Sequence, residues 1–318
     1  MNIKQIYELA IKMGIEADLR GQKTVSKLLR RAKEKYEKLN KEQKAEFDIE
    51  KLSNPFADTR IVFGNPGKEI KKILVGIDIG PDEILLADRL GGFDMVLSHH
   101  PVGKALADLH DVMHLQAQVL AGYGVPINIA EGLMQERISE VARGIAAANH
   151  QRSVDVAKLL GIPLMCVHTP TDNMAAGFLQ GVLNKEKPET VGDIIKMLKG
   201  IEEYSTAQKL NAGPKIWVGH DEASAGKIVL TEITGGTEGA KDIYEKMAQA
   251  GIGTVIGMHM DEERKKKAQE AHINVVIAGH ISSDSLGMNQ FLDVLEKKGI
   301  QIVACSGLIR VNRNRKRK

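Results

Sequence analysis

Three histidine clusters in this chain each stand where an apolar, strand-like run stops. Phe93–Ser98 runs into His99-His100-Pro101, Leu164–Val167 into His168-Thr169-Pro170-Thr171-Asp172, and Asn274–Gly279 into His280-Ile281-Ser282-Ser283-Asp284. Imidazole and carboxylate are the donors that hold Zn, Mn, Fe, Co or Ni. Strand ends are where open α/β sheets build their sites. Clusters this far apart in sequence can still meet in space, and the reading is one metal site with two ions.

Each cluster has its own logic. Pro101 cannot continue a sheet, so a turn there can aim His99 and His100 into one cleft as ligands of two ions. The plainer alternative is one exposed and one core histidine. His168 is either a ligand or a group that orients one. Asp172, four residues on, is carried back over the sheet edge by its loop or is an ordinary turn residue. After His280, Ser282 or Ser283 suits a helix N-cap. That puts the Asp284 carboxylate in the first turn of a helix running to Lys297, where it bridges two cations or offsets the helix dipole.

Other histidines are weaker candidates. His110 and His114, at i,i+4 spacing on an expected helix, either overhang the site as substrate-binding or proton-transfer groups or lie on ordinary helix surface. His259 ends the second-half equivalent of the His99 strand and so faces the same cleft. His150, His220 and His272 carry no pattern. The catalytic role therefore stays open among His168, His110, His114 and His259. Cys166 and Cys305 make no disulfide framework and read as small buried hydrophobes, with Cys166 a possible soft ligand two residues before His168. Gly235-Gly236-Thr237-Glu238-Gly239 has amides that suit a phosphate, but Glu238 repels an anion, so a tight turn is the reading. No phosphate-loop, dinucleotide or nucleophile-elbow motif is present.

The elements that must position these groups follow from the pattern of the 318 residues. Hydrophobic residues are 43% and charged residues 27%, as in a globular protein, and aromatics at 4% leave an aliphatic core. Residues 1–60 read as a helical extension, a solvated cap in preference to a binding arm. Residues 61–184 alternate strand and helix as a first α/β lobe, with an inserted strand–helix stretch over Val125–Leu160. Residues 185–220 read as a connector and 221–310 as a second α/β lobe. Four segments of the first lobe recur in order in the second: Lys72–Gly80 as Lys227–Gly235, Met95–His99 as Val255–His259, Val125–Ala130 as Ile273–Ala278, and Ile162–Cys166 as Ile300–Ala304. The fold class is therefore α/β, two related lobes of mixed or parallel sheet with flanking helices. Residues 311–318 read as a disordered basic tail. Six cations, Arg310, Arg313, Arg315, Lys316, Arg317 and Lys318, carry the basic excess, and removing them takes the net charge from +3 to −3. Nucleic-acid binding by this tail or by the N-terminal helices is thus the least favoured function. No run is apolar enough to span a membrane, and the chain reads as cytoplasmic.

Taken together, Ile77-Asp78, Leu97-Ser98-His99-His100-Pro101, His168-Thr169-Pro170-Thr171-Asp172 and Ala278-Gly279-His280 with Asp284 resemble the Nif-three-like family of dinuclear-metal-centre hexameric proteins. Some of its members are named type-two GTP cyclohydrolases. The resemblance spans about residues 61–310. It implies that His99, His100, Asp172, His280 and Asp284 hold two divalent metal ions, with His168 close by, in a homo-hexamer whose sites face an internal cavity. Two departures stand out. The family usually has Glu at the place of Asp284, so the shorter side chain needs a backbone shift or a water to bridge. The span from His100 to His168 is also longer than usual.

The function this supports is a metal-dependent hydrolase of a nucleotide-like or phosphorylated small molecule, with GTP cyclohydrolase chemistry as a special case. The alternative is a non-catalytic hexameric scaffold that stores, delivers or senses metal.

Overall fold

The computed structural model describes residues 1–314. The N-terminal segment is helical: α1 (Ile3–Glu16), α2 (Gln22–Glu37), α3 (Lys41–Glu46) and a 3₁₀ turn, Ile49–Leu52. There follow β1 (Arg60–Phe63), β2 (Lys72–Gly76), α4 (Pro81–Leu90), β3 (Met95–Ser98), α5 (Lys104–Ala107), α6 (Leu109–Val112), α7 (His114–Gly122), α8 (Ile127–Ala146), α9 (Arg152–Leu160), β4 (Leu164–Cys166) and α10 (Thr169–Glu186). The second half holds α11 (Val191–Lys199), α12 (Glu202–Lys209), β5 (Lys215–Val218), β6 (Lys227–Glu232), α13 (Ile243–Gln249), β7 (Ile252–Gly257), α14 (Glu262–Glu270), β8 (Asn274–Ile277), α15 (His280–Lys297) and β9 (Gln301–Cys305).

The strands form two sheets, ordered β1-β4-β3-β2-β9 and β5-β8-β7-β6. In each, one edge strand (β1, β5) is antiparallel and the others run parallel. Central strands such as Ile73-Leu74-Val75 are buried on both faces, as parallel strands covered by helices must be. The layers are α4 and α9, the first sheet, a middle layer of α1, α10 and α15, the second sheet, and an outer layer of α7, α8, α13 and α14.

The two sheets repeat one another strand for strand, but not wholly as the sequence matches suggest. β2 and β3 do correspond to β6 and β7. The true partner of β8, however, is β4: Cys166 stands opposite Arg60 as Ile277 stands opposite Lys215, each with a bulge two residues further on. Val125–Ala130, expected as a strand, instead opens α8, where Ala130, Met134 and Ile138 are buried at helical spacing. Five apolar residues cannot settle the period alone, and Pro126 suits a helix start. Ile300–Ala304 is extended, but β9 pairs with β2 in the first sheet. The chain thus returns to its first lobe at the end. The stretch read as connector contains α11 and α12, which pack on the second sheet, and its edge strand β5. The inserted helices clasp both sheets, α8 on the outer face of the second and α9 on that of the first.

The N-terminal segment is bound to the body by buried polar groups. Arg60 on β1 is paired with Asp48 at 2.8 Å and Glu50 at 3.1 Å, and Tyr7 donates to Glu50 at 2.5 Å. Asn173 in α10 donates to Asp18 at 3.2 Å. The basic tail is also ordered as far as Asn314. Arg310 pairs with Asp293 and Glu296, and Arg313 holds Glu203 through two 2.7 Å bonds. Internal carboxylates so compensate two of the six terminal cations. Residues 315–318, also read as disordered, lie outside the described residues.

At the centre α10 crosses α15 so closely that a Cβ at Gly287 would lie 2.0 Å from the Thr171 carbonyl oxygen. Replacing Gly287 by Ala is expected to lower unfolding stability by about 1–3 kcal/mol, the usual cost of overpacking. Chemical denaturation measures it, and wild-type stability in the variant would contradict this packing.

Candidate metal centre

Each cluster histidine is placed by the element that ends or begins beside it. Past β3 the backbone stays bonded to the first lobe, with His99 N–H donating to the Gly76 carbonyl and His100 N–H to that of Ile77, both at 2.9 Å. Past β4 the chain turns at His168, and Pro170 in the first turn of α10 sets the helix going. Past β8 it turns at Gly279, whose φ of 111° admits glycine readily, and His280 opens α15. Asp172 thus projects from the first turn of α10, whereas Asp284 follows the first turn of α15, because that helix is capped at Gly279 and begins at His280 instead of after Ser282 or Ser283; each aspartate lies four residues after its histidine.

These residues converge. His99 Nε2 lies 3.4 Å from Asp172 Oδ1 and 3.4 Å from Asp284 Oδ1. His100 Nε2 and His280 Nε2 lie 3.4 and 3.6 Å from Asp284 Oδ2, and His168 Nε2 lies 3.8 Å from Asp172 Oδ2. Three overlapping groups can hold a metal ion: His99, His100 and His168; His100, His280 and Asp284; His99, Asp172 and Asp284. Asp284, for all its shortness, reaches both halves of the cluster with one oxygen each.

The rings are oriented from behind. His99 Nδ1 donates to the Val167 carbonyl at 3.1 Å, His100 Nδ1 to Asp78 at 2.6 Å and His168 Nδ1 to Asp58 at 2.8 Å. Carbonyl and carboxylate oxygens only accept, so each Nδ1 carries the proton, as in metal-binding histidines. The Nε2 atoms then point inward. His99 Nε2, Asp172 Oδ1 and both Asp284 oxygens are buried without a hydrogen-bond partner. A bare nitrogen lone pair facing two carboxyl groups is repulsive unless a cation or a proton lies between them. The spacing suits one: two donors about 2.1 Å from an ion at a tetrahedral angle stand about 3.4 Å apart.

Charge on the residues themselves tells the same story. Burial pushes His99 down to about 4, so it is neutral, and pushes Asp172 up to about 8. Burial opposes charge on His100 too, but its contacts with Asp284 and Asp78 raise it to about 10. Asp284 is held well below the usual carboxylate range against its burial, by His99, His100 and His280. Without a cation the surroundings favour protons on His100, Asp172 and, beside Asp172 and Asp58, His168.

His259 stands on the opposite wall. By strand register Ser98 matches Gly257, since each pairs with the last residue of the next strand, Cys166 and Ile277. His259 is therefore the counterpart of His100, not of His99, whose place is taken by Met258. Its ring lies 4.7 Å from that of His280, and its Nδ1 donates to Glu238 at 2.6 Å, which raises its pKa. His259, Glu238, Glu232 and Thr234 help line a recess of about 30 Å³ beside Asp172 and Asp284, space for about two waters. The Gly235–Gly239 turn is pinned by Gln116, which donates to the Gly235 and Thr237 carbonyls at 2.8 and 2.6 Å.

Two weaker candidates lie away from the recess, and the core reading of Cys166 stands. His110 and His114 fall on separate helices, α6 and α7, because the chain breaks at Met113. His114 lines a different cleft, beside Arg20 and Gln118, and neither residue lines the recess. Cys166 is wholly buried and its thiol is pushed up to about 12 by burial, so it is a core residue. The sequence reading missed Asp58 and Glu238 as ring-orienting groups. Asp58 lies in the segment assigned to the helical cap, and nothing local pairs it with a histidine 110 residues on.

The chain has the fold of a NIF3 superfamily protein from Sphaerobacter thermophilus: TM-score 0.74, 28% identity, 81% of this chain and 94% of that one covered. It also matches the fold of reduced HcgD from Methanocaldococcus jannaschii, with TM-score 0.53 and 17% identity over 83% and 94% of the two chains. No protein-family model and no curated protein matches the sequence.

Because the surroundings of His100 and Asp172 favour their protonated forms without metal, an ion must displace protons from them. Titration calorimetry of Zn²⁺ at pH 7 in buffers of different ionisation enthalpy is expected to show release of roughly two protons per chain. Affinity should rise with pH as far as about 10, where His100 loses its proton unaided. Proton uptake, or an affinity independent of pH, would contradict these protonation states.

Proposed function

This chain is a member of the NIF3 superfamily, and on that premise we propose that it holds two divalent ions and uses them to hydrolyse a nucleotide-like or phosphorylated small molecule. The observation that carries the reading is the set of buried, partnerless donors, His99 Nε2, Asp172 Oδ1 and both Asp284 oxygens. His99, Asp172 and Asp284 would hold one ion, with His168 beside them, and His100, His280 and Asp284 would hold the other. The imidazole and carboxylate donors admit Zn, Mn, Fe, Co or Ni.

Two such ions would supply an acidified water and a positive clamp on a phosphoryl or carbonyl oxygen. The chain's own groups divide the remaining work. His99 and the carboxylates are sealed from solvent, while the side chains of His100 and His280 are 24% and 40% exposed, so substrate approaches from their side. The recess is too small for a nucleoside, and the body of the substrate must lie outside it. His168, held by Asp58, and His259, held by Glu238, are placed to pass protons across the mouth. A purine nucleoside triphosphate is the first substrate to try, on the strength of the cyclohydrolase name carried by some family members. A hexameric ring with inward-facing sites belongs to the same proposal. The smallness of the recess favours one second reading, a metal-handling scaffold without catalysis.

The test is hydrolysis of nucleotides and phosphoesters by metal-loaded protein. Chelation, or Asp284→Asn, should abolish turnover. His168→Asn should keep the metal and lower kcat by about 10²–10⁴-fold. Absence of turnover on every substrate, in protein carrying both ions, would leave the scaffold reading.

A further inference from the structure

One buried polar atom beside the metal centre is not used by it. Glu232 Oε2 is sealed from solvent and has no hydrogen-bond partner, like His99 Nε2, Asp172 Oδ1 and both Asp284 oxygens. Unlike those residues, Glu232 belongs to none of the groups among the described residues that could share an ion. A buried polar group without a partner is costly, so its place in a fold asks for a partner from outside the chain. Glu232 closes β6 opposite Gly257, the last residue of β7. Its carbonyl accepts from the Met258 N–H at 3.3 Å, as the Gly76 carbonyl accepts from that of His99. Glu232 is therefore the counterpart of Gly76, and its carboxyl is an addition peculiar to the second lobe. Gly257 leaves room for it, since a Cβ there would lie 3.3 Å from Glu232 Cβ and 3.6 Å from Oε2.

The contacts around Glu232 indicate what that partner is. The Tyr244 hydroxyl of α13 donates to Oε1 at 2.9 Å, which leaves Oε2 for the recess that Glu232 lines with His259, Asp172 and Asp284. The neighbouring polar groups of that wall are already engaged: Thr234 donates to Asn173 at 2.6 Å, Thr237 to Glu238 at 2.8 Å, and His259 Nδ1 to Glu238 at 2.6 Å. Burial raises the Glu232 carboxyl above the usual carboxylate range, with Glu238 adding to it and Tyr244, Arg264 and His259 pulling the other way. The surroundings thus favour the form that carries a hydrogen. Because Tyr244 donates to Oε1, that hydrogen belongs on Oε2, and a carboxyl hydroxyl calls for an acceptor. An ammonium group offers no acceptor, whereas a phosphoryl oxygen does. The recess has room for one such oxygen and not for the body of a ligand.

We propose that Glu232 is a ligand-selecting residue, which donates a hydrogen bond from Oε2 to a phosphoryl oxygen that enters the recess while its phosphate group is held on the ions. Tyr244 is the positioning residue behind it. The assignment rests on the reading of the cluster as an ion site, and it names the ligand atom that the wall opposite the ions would meet.

The test is calorimetric titration of inorganic phosphate into the Mn²⁺-loaded full chain, with metal content measured on the same samples. Glu232→Ala is expected to weaken phosphate binding by about 10–100-fold, the worth of a hydrogen bond to a charged acceptor, with metal content and circular dichroism unchanged. Glu232→Gln should bind phosphate nearly as the wild type does. Tyr244 then donates to the amide oxygen, and the NH₂ group takes the place of Oε2 as donor. An ionised Glu232 acting as an acceptor would not be replaced in this way, and Gln would then fail as Ala does. Equal affinity in the Ala variant, a Gln variant as weak as Ala, or Mn²⁺-loaded wild type that binds no phosphate would each overturn the proposal and leave the ion reading standing. Wild-type protein that takes up no Mn²⁺ would overturn the ion reading, and this proposal with it.

Discussion

The arrangement depends on one electrostatic constraint: two buried carboxyl groups, Asp172 and Asp284, are held against the unprotonated Nε2 of His99. Burying a charge without a partner is among the costliest things a fold can do. Here the carboxylate oxygens are brought within 3.4 Å of His99 Nε2, with no hydrogen bond to Asp172 Oδ1 or to either oxygen of Asp284. Protons on His100 and Asp172 would relieve part of the cost, and a bound cation would relieve more of it. Stability and metal occupancy are therefore linked, since whatever binds the folded state alone stabilises it.

The geometry that enforces this constraint is a doubled half-site. Each sheet ends a strand near a histidine and begins a helix that carries an aspartate four residues after it, giving His168 with Asp172 and His280 with Asp284. The crossing of α10 over α15 at Gly287 brings the two halves together. The doubling is incomplete, because Met258 stands where the first lobe has His99. The second lobe instead contributes His259 as the mate of His100, tied to Glu238 on the opposite wall. Asymmetry between the halves thus separates a side whose donors could hold a metal ion from a polar wall formed by His259 and Glu238.

Much of this was legible because histidine and aspartate at strand ends are conspicuous, and the resemblance gathered five of them into one ligand set. The two-lobed α/β class followed from strands alternating with helices. What was not legible had physical reasons. Val125–Ala130 has strand composition, but its helical period shows only over the next dozen residues, on a face buried against the second sheet. β9 reads as the last strand of the second lobe, and only its hydrogen bonds to β2 show that it belongs to the first. Asp58 and Glu238 act through contacts across the fold. The tail reads as disordered because its composition is basic, whereas Glu203 and Asp293 offer buried charges that Arg313 and Arg310 neutralise.

The most direct measurement is anomalous diffraction from crystals of protein purified without chelator and loaded with Mn²⁺ or Zn²⁺, recorded at the metal edge. Two peaks are predicted per chain, one among His99, Asp172 and Asp284 Oδ1 and the other among His100, His280 and Asp284 Oδ2, with Asp284 between them. No anomalous density, with Asp172 and Asp284 turned to hydrogen-bond protein groups, would show that the cluster is stable without cations and would contradict the electrostatic argument.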